Sequence, residues 1–205
     1  MTIPTIQLLD ELKAMTQKHL EIVTELQSLP DTDLQHRPHA QSWSALECIE
    51  HLNRYAAFYH PEIEKRINRS VTKPATTFKS GWIGNYFAEM MLPKEKLNKM
   101  KTFKSMNPVH EHLNVQTLTA FENHLQQLLQ LLDKAATINL NKVKTSISIT
   151  PLIKLKLGDT LRVVIYHNER HLQQAVKAAG DISGRLKQMF FQYPLQNDKR
   201  QYSHY

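Results

Sequence analysis

Residues 157–179, LGDTLRVVIYHNERHLQQAVKAA, carry the pattern that decides the fold of this 205-residue chain. Leu161, Val164, Ile165, Leu172, Ala175, Val176 and Ala179 recur at three- and four-residue intervals, the period of one apolar face of an α-helix. Gly158 and Asp159 stand where such a helix opens. His167 and His171 border the apolar face four residues apart, about one turn or roughly 5.4 Å of rise, so both imidazoles leave the helix on one side. Two rings placed in that way can grip one metal ion. The pair alone is weak evidence, because chance puts such a spacing in roughly half of all chains with 11 His in 205 residues. A third histidine strengthens it: His51, in the segment SWSALECIEHL over 42–52, falls on another predicted helix. A lone His on an apolar face is ordinarily a hydrogen-bonded core residue. Two inward His on one turn are harder to explain so, since each buried ring nitrogen needs its own partner.

Helical periodicity runs through most of the chain, with only five glycines and few of the β-branched runs typical of strands, so the expected class is all-α. The first helix is predicted over 5–28, with Leu8, Leu12, Met15, Ile22, Leu26 and Leu29 as its apolar stripe and Pro30 and Asp31 as its stop. The second opens at Ser42 or Ser44, where Ser44 and Glu47 fit a capping box, and continues to Arg69. Its core stripe is Leu46, Ile49, Leu52, Ala56, Tyr59 and Ile63, with Pro61 expected to kink it near Ala57. A third helix is predicted over 115–136, with Leu118, Phe121, Leu125, Leu128, Leu129 and Leu132 inward. The fourth covers 157–179. The connection over 71–108 is long enough to suggest a role of its own, and contains a short amphipathic element around Trp82, Ile83, Tyr86, Phe87, Met90 and Met91. Residues 137–156 read as irregular, with Pro151 barring a regular helix. Four long helices with long connections make a four-helix bundle the expected architecture.

The chain length suits a single domain with one sizeable core. No apolar stretch approaches the roughly 20 residues of a membrane span, and residues 1–17 are polar and acidic where a signal peptide is basic and then apolar, so the expected compartment is cytoplasmic. A single cysteine, Cys48, excludes an intrachain disulfide and argues against Cys-rich metal chemistry, leaving His and carboxylates as ligands. Cys48 lies three residues before His51, but a nucleophilic role needs a lowered pKa, and small buried cysteines are common. The net charge of +7 suits an anionic partner, and Lys94, Lys96, Lys99, Lys101 and Lys104 fall close together. That stretch contributes mainly Phe103 and no Arg as a readout group, so it reads as a solvated connector, and a nucleic-acid partner is not expected.

The motifs Trp43-Ser44-x-x-Glu47-x-x-x-His51-Leu52, Leu157-Gly158-Asp159 and His167-Asn168-x-Arg170-His171-x-x-Gln174 resemble those of the DinB-like superfamily of metal-dependent enzymes, which includes the bacillithiol transferase-like proteins. The resemblance spans roughly residues 8–179. It implies a bundle domain over 1–180 with a metal, commonly zinc or nickel, held by three His that map onto His51, His167 and His171. More loosely, it implies thiol-dependent transferase or isomerase chemistry on a small electrophilic substrate, with a low-molecular-weight thiol as partner, and a homodimer; an open metal position that activates water adds hydrolase chemistry to the expectation. Three imidazoles favour such transition metals over magnesium or calcium, and three protein ligands leave a coordination position open for a water or a thiol. Glu47, one turn before His51, is placed either to accept from the distal nitrogen of that ring or to serve the capping box. Arg170 and Gln174 either orient substrate or occupy the solvated flank of the helix. The contrasting expectation is a non-catalytic metal-binding or stress-response scaffold with the same three His. Residues 181–205, with Met189, Phe190, Phe191 and Tyr193, are expected to form an extension that docks on the bundle or on a second subunit.

Overall fold

The computed structural model describes residues 1–93, 102–109 and 111–180. The lysine run over 94–101 and the C-terminal extension over 181–205 lie outside the described residues. Four long helices dominate: α1 (Thr5–Gln27), α3 (Ala45–Asn68), α5 (Gln116–Ala135) and α6 (Leu157–Ala178). Two short helices, α2 (Asp31–Leu34) and α4 (Trp82–Met91), and a 3-10 turn at Lys104–Met106 lie in the connections. The long helices end within a residue or so of the predicted bounds, because the caps and stops are local. Ser44 caps α3 by accepting from the Glu47 backbone at 3.2 Å, while Glu47 Oε2 accepts from Ser44 N at 2.9 Å. α3 runs on through Pro61 to Asn68. No helix among the described residues is long and apolar enough to cross a membrane.

α1 and α3 each pack against both α5 and α6, so the helices form a four-membered ring with α1 diagonal to α3. The buried apolar side chains fall into two clusters stacked along the bundle axis. One holds Leu8 and Leu12 of α1, Ile63 of α3, Leu132 of α5 and Leu161 of α6. The other holds Ile22 and Leu26, Leu46 and Ile49, Leu118 and Phe121, and Leu172 and Ala175 from the same four helices. The sharing fixes the directions: α1 and α6 run one way, α3 and α5 the other. Because α3 and α5 are parallel, the chain between them has to return along the whole bundle, which accounts for a connection too long to be a simple turn.

Two expectations are corrected. Residues 137–156 are not simply irregular, for β3 (Lys144–Ile147) and β4 (Thr150–Lys156) form an antiparallel hairpin. Thr145, Ile147 and Leu155 are buried on its inner face, and Pro151 is accommodated beside a register shift between Ser146 and Ile147, where a lost backbone donor costs little. The 71–108 connection likewise contributes a strand, β2 (Thr77–Lys79), which pairs antiparallel with β1 (Thr2–Pro4). Asp159, buried at the start of α6, accepts from Gly81 N at 2.8 Å and from the Ser80 hydroxyl, tying the entry of α4 to α6. The contact is close enough that a Cβ on Gly84 would lie 2.4 Å from the Asp159 carboxylate, and one on Gly158 would lie 2.5 Å from the Phe78 ring.

Candidate metal centre

The two apolar clusters are separated by a polar layer, and the three predicted histidines lie in it. His51 on α3 is 3 % exposed, His167 on α6 is 9 % exposed, and His171 one turn on is partly buried. On the opposite face of α6, Glu169 Oε2 meets His19 Nε2 of α1 at 2.9 Å, and its Oε1 accepts from Gln173 at 2.8 Å. This buried link sets the rotation of α6 about its axis, and with it the direction in which His167 and His171 point.

One ring nitrogen from each of the three His lies within 4.8 Å of the others, and His51 Nε2 is 3.3 Å from His167 Nε2. Tetrahedral zinc with bonds of about 2.0–2.1 Å places its ligand nitrogens about 3.3 Å apart; the His51–His167 pair stands at that spacing, the third nitrogen lies within 4.8 Å of both, and a set of three imidazoles suits a transition metal. Two imidazole lone pairs at that separation repel unless a cation or a proton lies between them. Two of the outer nitrogens are engaged elsewhere. His51 Nδ1 donates to the Met106 carbonyl at 2.7 Å, and His171 Nδ1 donates to Gln174 Oε1 at 3.0 Å. Each bond selects the tautomer that leaves Nε2 bare and aimed at the common point.

Electrostatics favour the same state. Burial pulls the pKa of His51 down to about 4, only partly opposed by the Met106 bond and helped by the nearby Arg54 charge. Burial also holds His167 and His171 well below the ordinary imidazole range, reinforced by the neighbouring His and by Arg170. All three rings are therefore neutral at pH 7, as metal ligation requires. Trp43 covers one flank, its ring centroid 4.8 Å from His51 and 5.9 Å from His171, and Tyr55 covers the other at 4.8 Å from His51 and 4.6 Å from His167. The remaining side opens into a cavity of about 670 Å³ bordered by all three histidines.

The flanking residues are sorted by the structure. Glu47 does not reach His51: its carboxylate is shared between the Ser44 cap and an ion pair with Arg37, whose Nε donates at 2.9 Å. Cys48 is fully buried in the apolar core, where burial and the Glu47 charge push its thiol pKa up, the opposite of an activated nucleophile. Gln174 orients His171, and Arg170 is buried along the cavity wall rather than on a solvated flank. Met106 enters through its carbonyl, which no sequence motif marks. Arg54, three residues after His51, positions it by donating to the carbonyls of Ser105 and Asn107, both at 3.1 Å, and by pairing with Glu111. A histidine followed by a cation at that spacing was the available hint.

A family model described as the DinB superfamily matches residues 8–175. None of the curated proteins or solved structures compared with the chain matches it. The matched region contains His51, His167, His171 and all four long helices except the end of α6 and the first residues of α1, and on that extent this chain belongs to the DinB superfamily.

Proposed function

We propose that this protein is a metal-dependent enzyme in which His51, His167 and His171 hold one divalent transition metal, zinc or nickel, and a thiol or a water is activated there for transfer to, or hydrolysis of, a small electrophilic substrate. The observation that carries this reading is the convergence of three neutral imidazoles, two with their outer nitrogens fixed by hydrogen bonds, on the wall of an open cavity. A metal held there supplies Lewis acidity that lowers the pKa of water or a thiol, making a nucleophile available at neutral pH. Met106 and Gln174 hold the ligand rings in their working tautomer. Trp43 and Tyr55 keep water from their flanks. Lys177 places positive charge along the cavity wall, where an anionic group on the thiol or the substrate is stabilised.

A scaffold that merely stores metal has no need of a chamber beside its ligands, and the cavity therefore favours an enzyme. Metal-loaded protein assayed with low-molecular-weight thiols and a panel of electrophiles is expected to exceed the rate of free metal, with the excess lost in His167→Ala. No excess across the panel would contradict the enzyme and leave the scaffold. The resemblance also supports a homodimer. Sedimentation equilibrium on the full chain is expected to give twice 23.9 kDa, and the single-chain mass would overturn that.

A further inference from the structure

The cavity beside the histidines changes character along its length. Passing from His51 to Tyr55 to Tyr59 on α3 corresponds to passing from His171 to His167 to Val164 on the antiparallel α6. At that end the walls are Tyr59, Phe87, Met91, Leu155, Val163 and Val164, drawn from both helices, α4 and the β3–β4 hairpin. The Tyr59 hydroxyl at that end is already paired, lying 3.3 Å from both the hydroxyl and the backbone nitrogen of Ser148. At the opposite end the walls are His39, Gln41, Ser42, Gln174 and Lys177. The histidines lie between the two lobes.

We propose that the apolar lobe receives the hydrocarbon body of the substrate, which is thus an aliphatic or arylalkyl compound carrying its reactive group at one end, while the polar lobe takes the polar co-substrate. The proposal rests on the metal reading above, which places the reactive end at His51, His167 and His171. Length follows from the helix: eight residues from His51 to Tyr59 rise about 12 Å, room for a chain of about eight carbons. With the Tyr59 hydroxyl already paired and Phe87, Met91, Leu155, Val163 and Val164 around it, the far end offers apolar contact, so recognition there is by apolar contact and by length.

The test uses zinc-loaded full-length protein and straight-chain hydroxamates from acetohydroxamate to decanohydroxamate, with affinity measured by calorimetry. The dissociation constant is expected to fall about threefold to fourfold per added methylene, the ratio for complete transfer of that group from water, and to level off near eight carbons. In Val164→Phe, which narrows the lobe, levelling is expected at a shorter chain than in the wild type. Should that variant fail to fold, the wild-type series decides alone. Acetohydroxamate binding with no dependence on chain length would overturn the apolar lobe and leave the metal reading standing. Failure to bind zinc would instead show that the metal reading has failed, and the proposal with it, whereas zinc bound with no hydroxamate bound at any length would overturn the lobe alone.

Discussion

His51, His167 and His171 were legible because helical periodicity placed all three beside apolar stripes, and because residues one turn apart share a face. Their supports were less so. Gln174 stands three residues after His171, a spacing that the sequence shows but does not distinguish from a solvated glutamine. Met106 acts through its backbone, which every residue possesses. Glu47 satisfied two patterns at once, and Arg37, ten residues upstream, decides between them. Gln174 fixes the His171 tautomer directly and Arg54 supports that of His51 through the segment carrying the Met106 carbonyl, so Gln174→Leu and Arg54→Met should each weaken metal affinity by about 10–100-fold while leaving the helices intact. Competition against a calibrated chelator, with far-ultraviolet circular dichroism alongside, measures both. Unchanged affinity in both variants would remove the hydrogen bonds from the account of the site.

At the scale of elements, the four long helices were readable because caps, stops and stripes are local signals. The hairpin was not, since Pro151 argues against regular structure until the register shift beside it is known. The parallel course of α3 and α5 was also hidden, because direction depends on which distant stripes meet. The return connection this direction demands is what brings Met106 to His51 and the apolar side chains of α4 to the cavity. Close packing at the entry of α6 makes a sharp prediction: Gly158→Ala drives a methyl into Phe78 and should destabilise the fold by about 1–3 kcal/mol. Ser44→Ala breaks the capping box and should cost about 1 kcal/mol. Urea denaturation tests both, and a stability equal to wild type in Gly158→Ala would show that the contact with Phe78 is slack.

For the whole molecule, the buried polar groups set the response to acid. Burial lowers His60 to about 4, with Gln127 opposing and His124 assisting, and His51 is lowered to a similar value. The unfolded chain takes up these protons near pH 6.5 and the folded chain only near pH 4, so the stabilisation is complete above pH 6.5 and is lost as pH falls toward 4. Each group contributes on the order of 3 kcal/mol across that window. Burial alone would raise Glu169, but the His19 hydrogen bond and the charges of His19 and Lys18 bring it down to about 2, so its stabilisation is present above pH 4.5 and is lost as pH falls toward 2. Denaturation of chelator-treated protein should therefore show stability falling from pH 7 to 5, less steeply in His60→Gln; a flat profile there would contradict the buried neutral histidines. Bound metal should raise the midpoint by mass action.

The most direct test of the central claim is elemental analysis of untagged full-length protein, before and after reconstitution with zinc or nickel, beside His51→Ala, His167→Ala and His171→Ala. The account predicts about one transition-metal ion per chain in the wild type and its loss in each variant with helicity retained. A wild-type protein that takes up no metal under either condition would contradict it, and would return the three histidines to the role of core residues.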